Sequence, residues 1–144
     1  MSTIERAIEI AAREHAGDTD KAGSPYIFHP LRLMFAVKTP FEKMAAALHD
    51  VVEDTPVSLD DLTREGFHSD VVAAVDALTK REGETRLEAA SRAAANPIAR
   101  VVKLADVTDN MDLGRISHPT DKDFERLKEY AAVKRLLIEY DATQ

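Results

Sequence analysis

The chain has 144 residues, with 26 acidic against 19 basic side chains and a net charge of −7. This surplus of acid excludes a general electrostatic footprint for nucleic acid, and the absence of cysteine excludes disulfides, thiolate metal sites and cysteine nucleophiles. No apolar run approaches the roughly 20 residues of a bilayer span, and Met1–Glu5 lacks a basic-then-apolar leader, so a soluble, cytoplasmic, single-domain protein over residues 1–144 is expected, with neither membrane nor nucleic acid as partner.

In chain order, Ser2-Thr3-Ile4-Glu5 has the spacing of a capping box, and Ile4, Ala7, Ile8, Ala11 and Ala12 recur at helical intervals to about His15. Residues 16–24 carry Gly17 and Gly23 among charges and read as a loop. Pro30 then opens a second helix through Leu31, Leu33, Met34, Ala36 and Val37, with His29 at its start and biased away from helical angles by the proline that follows. Thr39-Pro40-Phe41-Glu42 combines a cap, a first-turn proline and a capping-box glutamate, and the small residues Ala45-Ala46-Ala47 lead from it into Leu48-His49-Asp50-Val51-Val52-Glu53-Asp54.

Further on, Ser58 starts a short helix closed by Gly66. Ser69 caps another that carries Val71, Val72, Val75 and Leu78. Residues 80–86 form a charged loop around Gly83, and residues 85–95 are alanine-rich and helical. Asn96-Pro97 caps a helix from Ile98 to about Met111 whose apolar band of Val101, Val102, Leu104 and Ala105 makes it central to the fold. Residues 115–119 form a loop, and Thr120 starts a last helix running to about Tyr140. With no convincing strand, the fold class is all-α.

Four groups able to bind a metal or move a proton fall at positions 49, 50, 53 and 54. On a continuous helix His49 and Glu53 share a face, as do Asp50 and Asp54. His29 at a helix start, His49-Asp50 on one helix and Asp106 on another supply imidazole and carboxylate from three elements, a set suited to a catalytic divalent ion such as manganese, iron or zinc. Asp106, at the edge of an apolar band, requires a partner. His15, His68 and His118 have no such company and read as surface or loop residues. Arg13, Lys80, Arg81, Arg86 and Lys103 could ring a phosphate site, although Lys80-Arg81-Glu82 reads more simply as solvated loop. Tyr26 reads as core or pocket wall.

The pattern His29…His49-Asp50…Asp106 resembles the HD metal-phosphohydrolase superfamily. More narrowly, Pro25-Tyr26-Ile27-Phe28-His29-Pro30, Ala46–Thr55 and Val102-Lys103-Leu104-Ala105-Asp106 resemble the hydrolase half of RelA/SpoT-type stringent-response enzymes and the small alarmone hydrolases, with no synthetase half expected. The resemblance spans roughly residues 3–115 in the right order, which is more specific than a single His-Asp pair. It implies a helical HD domain that removes a 3′-diphosphate from guanosine tetra- or pentaphosphate with manganese as the metal. His29, His49, Asp50 and Asp106 would hold the ion, Glu53 and Asp54 would be the catalytic acidic pair, and Lys21 and Asn110 would contact the substrate, with Lys103 as a further cation nearby.

Three positions depart from the family pattern. Asp20 stands where the family commonly has an arginine that packs on guanine. Asp109 replaces an aromatic residue or histidine, and Asp112 a basic or neutral one. Acid near a polyphosphate is unfavourable unless a cation intervenes. The departures leave open a second enzymatic reading, hydrolysis of another nucleotide such as a nucleoside monophosphate, and a third, a non-catalytic nucleotide sensor.

Overall fold

A computed structural model describes the backbone of residues 1–143 and the side chains of residues 1–140. Its regular elements are α1 (Ile4–Glu14), α2 (Phe28–Ala36), α3 (Pro40–Leu48), α4 (Val51–Asp54), α5 (Leu59–Arg64), α6 (Ser69–Leu78), α7 (Arg86–Ala94), α8 (Pro97–Asn110) and α9 (Asp121–Thr143), with a 3₁₀ turn at Leu113–Arg115. Among the described residues there is no strand, only an isolated bridge between Thr19 and Pro25. The all-α expectation therefore holds.

Local chemistry sets most helix starts. Thr39, Ser58 and Thr85 each accept from the amide three residues on, while the acid there, Glu42, Asp61 or Glu88, bonds back to the cap, so two otherwise unpaired amides are satisfied at once. Asn96 caps α8 ahead of Pro97. Three starts differ from expectation. The α1 cap is Thr3, whose hydroxyl accepts from the Arg6 amide. The α6 cap is His68, whose ring accepts from the Asp70 amide. Helix α2 begins at Phe28, so His29 lies inside it with helical geometry despite Pro30. Proline costs nothing there, because the first-turn amides have no partner within the helix.

Helices α3 and α8 are the frame on which the others pack: α1, α2 and α6 lie against α3, while α2, α3, α6, α7 and α9 lie against α8. Ala45, Ala46 and Ala47 are at most 1% exposed; their small side chains let neighbouring backbones approach closely. Around them, Ile10, Leu48, Val51, Leu62, Val71 and Val75 fill one part of the core, and Leu33, Val37, Ala74, Ala93 and Val102 another. A third part joins α7, α8 and α9 through Ala90, Val107, Val133 and Leu137. The apolar band of α8 is narrower than expected, since Val101 faces outward. Gly66 adopts φ +90°, a left-handed conformation that glycine takes without strain, and its carbonyl accepts from the Ser2 amide at 2.8 Å, tying the N-terminus to the end of α5.

Leu48 is fully buried one residue before the histidine pair. Leu48→Ala should destabilise the protein by about 2–5 kcal/mol, read as a lowered urea midpoint with unchanged slope; an unchanged midpoint would contradict the packing described.

Candidate metal centre and active site

The helix carrying the His-Asp pair does not run on. Helix α3 stops at Leu48, His49 and Asp50 form a turn, and α4 restarts at Val51. His49 keeps helical angles while Asp50 opens to φ −106°, ψ 0°, so the expected continuous face shared by His49 with Glu53 and Asp50 with Asp54 is replaced by a corner. The corner turns both side chains inward: His49 is 3% exposed, and its Nδ1 bonds the Ala46 carbonyl at 2.8 Å. That bond holds a proton on Nδ1, so in the neutral ring it is Nε2 that carries the lone pair.

His29 on α2 and Asp106 on α8 meet the corner. The ligating atoms of His29, His49 and Asp50 lie within 4.8 Å of one another. Asp106 Oδ1 is 2.9 Å from His29 Nε2 and 3.7 Å from His49 Nε2. Asp106 is buried, as its place in the apolar band requires, and its partners are His29, Lys103 Nζ at 3.2 Å and Asn110 Nδ2 at 3.1 Å. His49 Nε2 is buried without a hydrogen bond, although Asp50 Oδ2 stands 3.0 Å away. Two carboxylates converging on an imidazole nitrogen that makes no hydrogen bond form an environment that a cation completes. Two imidazoles and two carboxylates suit a divalent first-row ion.

The His49 ring is also basic. Burial disfavours charge on His49, yet Asp50 and Asp106 raise it to about 9, so a cation would bind at Nε2 in exchange for a proton. Burial likewise opposes charge on Asp106, but Lys103 and the two histidines hold it far below the usual carboxylate range. Asp54, exposed at the rim, is raised to about 6 by partial desolvation and by the charges of Asp50 and Glu53.

Two cavities of about 420 and 280 Å³ open on this centre and share Asp50, Glu53, Lys103, Asp106, Asn110 and Tyr130 in their walls. Lys21, Arg32, Arg115 and Arg126 line the larger, Lys80 and Arg86 the smaller. Lys21 Nζ reaches the Tyr130 hydroxyl at 3.4 Å. Of the expected cations, Arg13 pairs with Glu14 and Arg81 with Asp76, and neither lines these cavities. Glu53 accepts from the Lys80 amide at 2.8 Å. The loop supplying that amide is anchored by Arg92, which pairs with Glu84, holding it down to about 2, and donates to the Ala77 and Thr79 carbonyls. Residues 80–82 are exposed, as a solvated loop should be, and the Lys80 amide ties that loop to Glu53. Asp54 does not line the cavities and acts on them through charge.

Against these geometries stand the comparisons with known proteins. No family model matches the chain. It is 39% identical over 124 residues to a GTP pyrophosphokinase of Streptomyces coelicolor, covering 77% of this chain and 14% of that protein. It is 34% identical over 125 residues to the bifunctional (p)ppGpp synthase/hydrolase SpoT of Escherichia coli, covering 77% and 18% respectively. A solved structure described as a metazoan ortholog of SpoT that hydrolyzes ppGpp superposes with a TM-score of 0.77 at 26% identity, over 97% of this chain and 85% of that one. The chain is a RelA/SpoT hydrolase-like domain of the HD type. It spans less than a fifth of the length of those two curated relatives.

Several residues of this HD-type domain carry more than their sequence suggested. Tyr26, read as pocket wall, donates its hydroxyl to Asp50 Oδ2 and lines the larger cavity. His15, read as a surface residue, is 2% exposed, with its ring 4.8 Å from that of Tyr26; burial lowers its pKa. Asp20 accepts from the Ala22 and Ser24 amides, so its side chain braces the loop that carries Lys21. Arg126 and Tyr130 enter the cavity wall from α9. No signal short of tertiary structure singles these two out.

In the ion-free protein Asp54 should titrate near 6 by carbon-13 NMR, and Glu53→Gln should shift it downward. Its folded value lies above that of the unfolded chain, so its contribution to stability is present at low pH and lost as pH rises through about 6. Asp54→Asn should accordingly gain stability relative to the parent above pH 6 and not below pH 4; a pH-independent difference would refute the shift.

Proposed function

We propose that this HD-type domain is a divalent-metal-dependent phosphohydrolase, acting on guanosine 3′,5′-bis(diphosphate) to release pyrophosphate from the 3′ position, with manganese as its ion. The observation that carries the reading is the convergence of His29, His49, Asp50 and Asp106 on one point where two cavities lined by both cations and acids meet. The names of the relatives and the solved SpoT ortholog support the choice of substrate. Relatives bearing kinase and hydrolase names alike match over less than a fifth of their length, so the choice of hydrolysis rests on the metal centre and on the solved ortholog, matched over 85% of its chain.

His29 and His49 through Nε2, with Asp50 and Asp106 through carboxylate oxygens, would hold the ion. The chemistry such an ion supplies is a water acidified at neutral pH and a polarised phosphoryl oxygen. Glu53, fixed by the Lys80 amide and facing both cavities, orients the attacking water and takes its proton. Asp54, raised towards neutrality, receives protons from the site and returns them to solvent. The new bond joins the water oxygen to the 3′-linked phosphorus. The phosphorus–O3′ bond breaks, O3′ keeps the electron pair and gains a proton, and pyrophosphate and guanosine diphosphate leave. Lys103, Lys21 and Arg86 offset the polyphosphate charge, and Asn110, bonded to Asp106, places a donor on the cavity wall. Asp20 braces its own loop and also lines the larger cavity, so a panel of nucleotides belongs in the test.

Protein loaded with manganese should convert guanosine tetraphosphate to guanosine diphosphate and pyrophosphate, separated by ion exchange, while Asp50→Ala should lose both metal and turnover. Glu53→Gln should retain manganese and lose rate by about 10²–10⁴-fold. Phosphate release only from another nucleotide would replace the substrate, and full activity in Glu53→Gln would remove its role.

A further inference from the structure

Asp109 is one of the three acids that depart from the family pattern, and the structure gives it an occupation. It stands one turn beyond Asp106 on α8, with its side chain 12% exposed, and its Oδ2 lies 2.6 Å from Nδ1 of His29. Arg32, one turn beyond His29 on α2, grips the same carboxylate with two donors: Nε to Oδ1 at 2.8 Å and Nη2 to Oδ2 at 3.0 Å. Arg115, from the 3₁₀ turn, adds Nη2 to the Asp109 carbonyl at 3.1 Å and to Oδ2 at 3.5 Å. A two-pronged guanidinium–carboxylate pair fixes orientation as well as charge.

We propose that Asp109, clamped by Arg32, is the positioning residue of the metal centre: it accepts the Nδ1 proton of His29 and thereby aims Nε2 of that ring at the ion. The inference rests on the metal-centre reading above. It is needed because His29 has no local carbonyl on Nδ1 to select its tautomer, whereas His49 uses Ala46. A histidine whose far nitrogen is hydrogen-bonded to a carboxylate is a more basic and better oriented ligand. The same clamp explains how an acid is tolerated beside a site for anions. Arg32 faces this carboxylate with both prongs, and Arg115, which also pairs with Asp112 at 3.2 Å, adds a second cation, so the negative charge of Asp109 is offset before a polyphosphate meets it. Asp109 thus ties α2 to α8 at the place where each contributes a ligand.

The test is manganese binding to the ion-free full chain, followed by the electron paramagnetic resonance signal of free Mn²⁺, in the parent, Asp109→Asn, Arg32→Lys and His29→Ala. Asp109→Asn is isosteric and should weaken binding by about 10- to 100-fold. Arg32→Lys keeps every charge but loses the two-pronged grip; it should weaken binding several-fold, and it carries the test if Asp109→Asn does not fold. In zinc-loaded protein with nitrogen-15-labelled histidine, the His29 Nδ1 proton should be seen in the parent and be displaced or lost in Asp109→Asn. A purely structural tie between α2 and α8 would change the melting temperature of the ion-free variants and leave the affinity for manganese and the tautomer alone. Binding within twofold of the parent in both Asp109→Asn and Arg32→Lys, with His29→Ala impaired, overturns the role of Asp109. If the parent does not bind manganese, or His29→Ala binds as the parent does, the metal-centre reading itself falls and the inference with it.

Discussion

Everything in the site depends on gathering two imidazoles and two carboxylates, all but Asp50 buried, at one point among packed helices. Ionised groups are costly to bury without partners, and here each finds one: Asp106 takes His29, Lys103 and Asn110, Asp50 takes the Tyr26 hydroxyl, and His49 leans on the Ala46 carbonyl. The arrangement needs three elements held rigidly, and α3 and α8 supply that rigidity because alanines and valines of the core lock them against their neighbours. Binding chemistry and fold stability are therefore the same contacts seen from two sides.

The break between α3 and α4 is the local feature that makes the centre possible. A straight helix would place His49 and Asp50 about 100° apart around its axis, with one of them directed away from α8. Relaxing Asp50 to a bridge-region conformation, and giving the His49 ring a backbone carbonyl, turns both towards α2 and α8. The same corner starts α4, which carries Glu53 to the junction of the two cavities, where the Lys80 amide holds it.

Charge is arranged in layers around this centre. Next to the ligands lie carboxylates and their direct partners. Outside them, Arg32 balances Asp109 and Arg115 is shared between Asp109 and Asp112, while Lys21, Lys103 and Arg86 line the cavities paired with Tyr130, Asp106 and Glu129. A chain with a net charge of −7 thus lines its cleft with cations and acids together, and the field there is set by these nearby groups rather than by the molecular total.

How much of this was legible in the chain follows from the range of the interactions involved. Helix starts at Thr39, Ser58 and Asn96 were readable because a cap involves residues within three positions of one another. The ligand candidates His29, His49, Asp50 and Asp106 were readable from residue type, spacing and family resemblance. Where two adjacent polar residues competed for a cap, as at Ser2/Thr3 and His68/Ser69, sequence chose the wrong one, since the choice turns on geometry beyond the motif. The burial of His15, the Tyr26–Asp50 bond, the entry of Arg126 and Tyr130 from α9 and the clamp of Arg32 on Asp109 were decided only by tertiary structure. Each joins residues brought together by helix packing, with Asp109 and Arg32 separated by 77 positions; no local period or motif encodes such a pair. By itself the sequence determined the helical class, the candidate donors of the centre and the surplus of acid, whereas the turn at Asp50, the cleft and the neutralisation of Asp109 exist only once α2, α3, α8 and α9 are packed.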